Sequence, residues 1–586
     1  MAAGSKTSTR KDSGKLAALT TDASNVGRWP GFRVILGCSA VAAIAVAVDT
    51  YFSAQEGYLA RAPDYEGIGY LRSARTVYLL LRHLHVRTAL TELNSIAPLW
   101  TYLQTLQYFI IGDGTWQAFT VRFWPVALLL ILVYWIVRAR ATREMAMAAV
   151  ALTALLPMVS ASVRSSSWEF LSGRADYFED WGLDDLRPDF LAAVLILWSV
   201  ASLAEHHRAP RRSAYLISAA FAAAAVLTKP STAAFNLAAW AMVLGLLWIW
   251  GRDAATLRMT ALAMTFLVVL LVPWAIVGGG LVAAITRLYG AAVTYGGAYS
   301  AGGTLPERLS YYLARLPTQL GQVEVGIVII GSLLLTVMML RRHLDRGELT
   351  YAALVGFFYV TFSIPANKDP NIGEWISLSV WIFFLAGASR YLSARWPVKV
   401  RRASPALLAA VGMYALLAYS LGLVALANWP ANESNTNTQL RTVTTQLAQE
   451  LGRHIGVNGC FTYVPGPGWP ASIQYLLMDS NGKTPASTSI DVDPTTTSVD
   501  DYLLAARQCA AFIVYKEDIA QVAQVFFAPA VRQPYLRALA EWVRRPDSGY
   551  VLDRTWSLAD LAPRGPHTLG GYQGVSLTVD FYLRTP

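Results

Sequence analysis

The chain has 586 residues, of which 54% are hydrophobic and only 15% are charged. This balance excludes a soluble protein with one buried core, because soluble domains carry about 25% charged residues. The formal net charge is +10, but Lys and Arg cluster beside the ends of apolar runs, which disfavours a nucleic-acid partner and is typical of membrane topology signals. The composition therefore indicates a polytopic α-helical membrane protein.

Residues 1–32 precede the first apolar run and are rich in Ser, Thr, Lys and Ala. Such a composition buries too little apolar surface to fold, so we predict a disordered cytoplasmic tail. No small-residue cleavage site follows the first apolar run, so we interpret that run as a retained span rather than a signal peptide.

Apolar runs that reach or approach the ~20 residues of a bilayer-spanning helix recur over residues 33–430. We predict about eleven spans, centred near residues 42, 130, 152, 196, 220, 240, 267, 331, 356, 383 and 416. Every second connection is short and basic, beginning with the residues before the first span. The positive-inside rule then puts the N-terminus in the cytoplasm and the C-terminus outside.

The inner connections are too short to build a site, so we expect any site in the outer connections at 51–119, 164–188 and 278–322. In the first, Leu99, Leu103, Leu106 and Ile110 recur at helical spacing, which predicts a helix lying in the membrane interface over about 97–111.

The connection 164–188 combines carboxylates with aromatic side chains, an arrangement that suits a sugar. Trp168, Tyr177 and Trp181 are its candidate sugar or acceptor ligands, and the alternative is a solvated acidic loop with aromatic residues in the interfacial belt. Asp184 and Asp185 offer hard oxygen ligands that suit Mg²⁺ or Mn²⁺, so a divalent metal is a candidate cofactor.

Residues 431–586 have the composition of a soluble domain, in which segments with helical and strand patterns alternate. This alternation predicts an extracytoplasmic α/β domain with an open, largely parallel sheet. Cys460 and Cys509 both lie in this domain. They are either a disulfide, which an oxidising compartment would permit, or two buried thiols in neighbouring strands.

Five segments occur in a recognisable order: RAPDYEGIGYLRSA after the first span, SIAPLWTYLQ to VRFWP before the second, LRPDFLAAVLILW opening the fourth, LTKPSTAAF between the fifth and sixth, and FSIPANKDP before the tenth. Together they resemble the GT-C superfamily of membrane glycosyltransferases, particularly the branch of the bacterial lipid A aminoarabinose transferase and the protein O-mannosyltransferases. The resemblance covers roughly residues 33–400.

The resemblance implies a GT-C-like transmembrane domain. It also implies catalytic or phosphate-binding roles for individual residues. Asp64 falls at the catalytic acid position of the first outer loop, with Glu66 as the next candidate, and Asp189 falls at the second acidic position. The implied donor phosphate ligands are Lys229 of the TKP turn, Arg122 of the VRFWP stretch, Lys368 before the tenth span, and Arg187.

For Lys229 and Lys368 the alternative is that each side chain snorkels to the interface as an anchor. The aminoarabinose transferases have an acidic–Lys–Pro–Pro–Leu run where this chain has Ser95-Ile96-Ala97-Pro98-Leu99. We therefore do not carry their donor sugar over to this chain.

The expected function is transfer of a sugar from a polyprenyl-phosphate donor to a cell-envelope glycan, lipid or protein, on the outer face of a bacterial inner membrane. Such transfer needs a base for the acceptor hydroxyl and cations for the departing phosphate. The alternative is a non-enzymatic lipid or polysaccharide transporter or flippase. Such a protein would show inverted repeats and polar residues at mid-bilayer, whereas the polar residues here lie at span ends.

Overall fold

A computed structural model of the chain describes residues 29–55, 66–93, 97–160, 186–206, 211–277, 304–340, 344–365, 372–395, 397–427, 431–462, 470–479, 481–487, 498–526, 533–561 and 574–585. The predicted tail, apart from its last residues, lies outside these ranges.

The described residues up to 427 form helices joined by short connections. The α-helices are α1 Phe32–Gln55, α2 Glu66–Arg82, α3 Val86–Leu93, α4 Pro98–Ile111, α5 Thr115–Phe119, α6 Phe123–Arg138, α7 Arg143–Ala154, α8 Asp189–Ala204, α9 Arg212–Thr228, α10 Ala233–Gly251, α11 Ala254–Val277, α12 Leu305–Leu320, α13 Gln322–Leu340, α14 Arg346–Ser363, α15 Gly373–Arg395 and α16 Pro397–Ala427.

All eleven predicted span centres fall inside these helices. Six of the described helices are long and apolar enough to cross a membrane, and three further apolar helices are shorter. A membrane protein built from apolar helices is therefore confirmed, while the count of eleven spans and their orientation stay predictions.

Helix α8 lies at the centre of the bundle, since all sixteen of its residues are buried. It packs against α9 and also against α6, α10, α14 and α15. A helix that is apolar on every side is stable only when it is surrounded, which explains this position. Ser199 and Ser218 join α8 to α9, because the Ser199 hydroxyl donates to the Ser218 carbonyl at 2.7 Å.

Helix α4 matches the helix predicted over 97–111. Its buried face carries Trp100, Gln104, Thr105 and Tyr108, whereas the predicted leucine stripe is only partly buried. Of that stripe, Leu99 and Leu103 pack against the core of the helical region and Ile110 is exposed. The helix is therefore confirmed, whereas its place in the membrane interface stays a prediction.

Two buried arginine–glutamate contacts join four segments at the end of α8 away from Asp189. Arg140 donates to Glu205 at 2.7 Å and lies 3.6 Å from Glu348. Glu205 also accepts from the Tyr351 hydroxyl at 2.8 Å, and Glu348 pairs with Arg390 of α15. Buried carboxylates are stable only with such partners, so this network fixes how the helix ends pack.

Residues 431–585 form a second core around a five-stranded sheet. The helices are α17 Ala431–His454, α18 Pro470–Leu476, α19 Val499–Ala506, α20 Ile519–Val522 and α21 Gln533–Val543, and the strands are β1 Cys460–Thr462, β2 Ala486–Ser487, β3 Ala511–Tyr515, β4 Tyr550–Leu561 and β5 Val575–Arg584.

The strand order is β2-β1-β3-β5-β4. Strand β1 is parallel to β2 and β3, but β5 is antiparallel to both β3 and β4. The prediction of a largely parallel sheet was therefore wrong. Strands β4 and β5 are consecutive in the chain and pair antiparallel as a long hairpin.

Candidate functional site

A buried cluster of one carboxylate and two cations lies at the start of α8. The Oδ2 atom of Asp189 accepts from Lys229 Nζ at 2.9 Å and from Arg187 Nε at 3.2 Å. Asp189 is 1% exposed, and Arg187 and Lys229 are each 7% exposed. The structure thus brings together three residues that the sequence predicted for the site.

Both oxygens of Asp189 are buried, and Oδ1 has no hydrogen-bond partner among the described residues. An ionised carboxylate can accept several hydrogen bonds, so Oδ1 is open to a donor such as a ligand hydroxyl. With both cations on Oδ2, Asp189 is a positioned anion with one acceptor site left.

Local sequence explains the backbone positions of Asp189 and Lys229. Asp189 is in the first turn of α8, where the helix dipole favours a negative charge. Pro230 disfavours helical backbone at Lys229, so α9 ends there with φ −138° and ψ 83°. The Thr232 hydroxyl donates to the Lys229 carbonyl at 3.0 Å and holds the turn.

Helices α2 and α4 pack over the cluster. The ring centroid of Tyr70 on α2 lies 5.9 Å from Lys229 Nζ, a cation–π distance. Trp100 Nε1 donates to the Leu186 carbonyl at 2.9 Å and ties α4 to the segment that carries Arg187. The hydroxyl of Thr105 donates to the Ala74 carbonyl at 3.2 Å and joins α4 to α2.

A series of side-chain hydrogen bonds joins the Lys229 turn to the start of α15. Asn236 donates to Thr232 at 3.2 Å and accepts from Trp375 Nε1 at 3.0 Å. Lys368 lies outside the described residues, in the segment 366–371 just before α15. The structure therefore brings the start of α15, close in sequence to Lys368, near the Lys229 turn.

Arg122 belongs to a separate buried ion pair near the C-terminal end of α1. Its guanidinium pairs with Asp49 and donates to the Thr50 hydroxyl at 3.3 Å and to the Phe119 carbonyl at 3.0 Å. The sequence did not lead us to predict a role for Asp49. The available signal was an acidic residue inside an apolar span, which is costly in a membrane and therefore indicates a partner.

Glu66 is the first residue of α2, so the segment with Asp64 leads directly into the helix that covers the cluster. The other predicted residues lie outside the described ranges: Asp64, Trp168, Tyr177, Trp181, Asp184 and Asp185. Their roles stay predictions.

The second domain contains a disulfide and a group of metal-ligand side chains. Cys460 on β1 is bonded to Cys509, and their Cα atoms are 4.6 Å apart. The possible ligand atoms of Glu450, His454 and Asp553 lie within 4.8 Å of one another. Arginines 453 and 554 already contact the Glu450 carboxylate, at 3.0 and 2.7 Å, so this carboxylate is neutralised by the protein itself.

The chain is similar in structure to ArnT, in two solved structures of that protein. ArnT from Cupriavidus metallidurans in the apo state superposes with a TM-score of 0.55 at 15% identity, covering 92% of this chain and 97% of that one. The same protein bound to undecaprenyl phosphate gives a TM-score of 0.53 at 13% identity, covering 93% and 97%. No protein-family model and no curated protein matches the sequence.

ArnT is an aminoarabinose transferase of the GT-C superfamily. The likeness covers nearly all of both chains, so this chain has the GT-C fold, and the resemblance seen in the motifs is confirmed for the fold. At 15% identity, the substrate of ArnT says nothing on its own about the substrate of this chain.

Proposed function

We propose that this protein is a glycosyltransferase that takes a sugar from a polyprenyl-phosphate donor and adds it to a cell-envelope acceptor on the outer face of a bacterial inner membrane. The observation that carries the proposal is the buried Asp189–Arg187–Lys229 cluster at the helix ends. It offers two cations for a lipid phosphate in a place with little water, where charge-assisted contacts are strong. The ArnT structure with undecaprenyl phosphate supports this class of ligand.

In the proposed reaction, the acceptor oxygen displaces the phosphate from the sugar, and each site residue has a role. Asp64 takes the proton of the acceptor hydroxyl, whose oxygen attacks the anomeric carbon as the bond from that carbon to the phosphate oxygen breaks. The negative charge that develops on the departing phosphate is stabilised by Lys229 and Arg187, and by Lys368 from its neighbouring segment. Asp189 keeps the first two cations in place.

The test is turnover of lipid-linked sugars by the purified full-length protein. A bacterial lipid extract and a cell-envelope extract supply donor and acceptor, and mass spectrometry follows conversion of polyprenyl-phosphate sugar into polyprenyl phosphate. We expect Asp64→Asn to bind donor but to lose turnover, because it keeps the shape of the side chain without the base. Full turnover by this variant would show that Asp64 is not the base, and Glu66 would be tested next.

Binding of the phosphate is tested separately, with undecaprenyl phosphate as the probe. Lys229→Ala should weaken its affinity about ten- to a hundredfold, since a charge-assisted contact contributes roughly 1.5–3 kcal/mol. The control is Lys516→Ala, which removes an exposed lysine of the second domain. Equal affinity in wild type and Lys229→Ala would favour the anchor role of that lysine.

A further inference from the structure

One arginine of α2 contacts the second domain and the α4–α5 connection at once. Arg75 donates from Nη1 to the Tyr475 carbonyl at 2.7 Å and from Nε to Asp113 Oδ2 at 3.2 Å. Its guanidinium also lies over the Tyr475 ring, 4.7 Å from the centroid. A planar guanidinium can make these contacts together, whereas a lysine ammonium cannot reproduce their fixed directions.

The surrounding contacts make this a built interface. The Tyr475 hydroxyl donates to the Asp113 carbonyl at 3.1 Å, and Arg72 donates to Gln474. Tyr475 and Gln474 are buried, and Gln474 is itself held by the Pro485 carbonyl at 2.8 Å. Burial raises the pKa of Tyr475, so its hydroxyl remains a hydrogen-bond donor at neutral pH.

Helix α2 also contacts the Asp189 cluster, through a face other than the one that carries Arg75. Tyr70 of α2 lies against Lys229, and Ile68, Leu71 and Ala74 are buried in the hydrophobic core of the helical region. An α-helix of this length moves as a rigid rod, so a shift at Arg75 is felt at Tyr70, about 7.5 Å away along the axis. Helix α2 therefore connects the second domain to the cluster.

We propose that Arg75 is a positioning residue, through which the second domain fixes α2 over the Asp189–Lys229 cluster. The proposal rests on the proposed function in one respect, namely that the cluster binds a lipid phosphate. The ion pair with Asp113 is partly exposed, with side-chain exposures of 24% and 35%, and contributes little by itself. The effect on α2 comes instead from the combined contacts of Arg75, which hold α2, the α4–α5 connection and the second domain in one arrangement.

The first experiment measures undecaprenyl phosphate binding to the full-length protein. Arg75→Gln should weaken binding about three- to tenfold, the range expected for coupling through a packed element. Arg75→Lys should bind more tightly than Arg75→Gln but less tightly than wild type. It keeps the positive charge but lacks the planar guanidinium with its fixed donor directions. The control is Arg537→Gln, which removes an exposed arginine of the second domain that pairs with Asp518. Unchanged affinity in Arg75→Gln overturns the proposal.

A double-mutant cycle then asks whether Arg75 acts through α2. If it does, adding Arg75→Gln to Tyr70→Leu should cause little further loss, since both changes remove the same positioning. Additive losses would mean that Arg75 acts by another route and would overturn the proposal. Hydrogen exchange should also be faster in α2 of Arg75→Gln and unchanged in α8.

Two further variants separate the possible causes of weaker binding. Tyr475→Ala removes the ring beneath the guanidinium but keeps the carbonyl, and it should also weaken binding. It replaces Arg75→Gln in the test if that variant does not fold. Lys229→Ala separates the two proposals. Weaker binding in Lys229→Ala with normal binding in Arg75→Gln and Tyr475→Ala overturns the positioning role alone, whereas normal binding in all three also contradicts the proposed function.

Discussion

At Asp189, two cations donate to one carboxylate oxygen and the other oxygen has no partner among the described residues. This geometry gives Asp189 two separable roles. It holds Lys229 and Arg187 against their mutual repulsion, and its Oδ1 can accept from a substrate hydroxyl. Neither role requires Asp189 to exchange a proton with substrate.

The substitution Asp189→Asn should separate phosphate binding from turnover. The amide keeps the shape but removes the negative charge, so the two cations would attract a phosphate more strongly. We expect undecaprenyl phosphate to bind at least as tightly as in wild type, while sugar transfer falls about tenfold or more because the reacting groups lose their alignment. The measurements are equilibrium binding and mass-spectrometric turnover on the same preparation. Lost phosphate binding would instead show that the charge of Asp189 is needed to hold Lys229 and Arg187 in position.

Part of this site could be predicted from residues alone. Asp189 and Lys229 stand at the ends of apolar runs on the same predicted side, where a charge is costly unless it has a partner. Their contact with each other and the place of Tyr70 over Lys229 could not be predicted, because these depend on how α2, α8 and α9 pack. The Asp49–Arg122 pair was missed in the same way, since it joins residues 73 positions apart.

At the scale of elements, apolar periodicity located the helices well, because each span must satisfy its backbone hydrogen bonds internally. Strand direction in the second domain was harder. Alternating helices and strands favour a parallel sheet, but the direction of β5 depends on its pairing with β3 and β4, which local sequence does not encode. The short strand β2, of two residues, has too little pattern to be recognised.

The Arg140 network allows a prediction about helix packing. Arg140→Met leaves the buried carboxylates of Glu205 and Glu348 without their shared guanidinium, and breaking such a pair costs about 3–5 kcal/mol. The variant should therefore unfold at a clearly lower temperature, followed by tryptophan fluorescence in detergent. Arg390→Met is the comparison, because Arg390 is 30% exposed and its loss should cost less. An unchanged unfolding temperature for Arg140→Met would show that the network contributes little to stability.

At the scale of the whole molecule, two charge clusters lie at opposite ends of α8. Asp189 is the first residue of this helix and Glu205 directly follows its last. Sixteen residues at 1.5 Å each separate the two ends by about 24 Å, most of the roughly 30 Å thickness of the hydrocarbon core. The Asp189 cluster and the Arg140 network are thus placed to face opposite sides of a membrane.

The positive-inside pattern then predicts which side each cluster faces, and labelling of single cysteines can test it. In a background with Cys38→Ser, we expect Ala209→Cys and His343→Cys to be protected from a membrane-impermeant thiol reagent applied outside intact cells. Ser300→Cys and Thr442→Cys should be labelled, since they belong to the outer connection 278–322 and to an exposed position of α17. Permeabilised cells provide the control, because all four cysteines should then react. The reverse pattern in intact cells would put the Asp189 cluster and the second domain in the cytoplasm, and a donor presented on the outer face could not reach them.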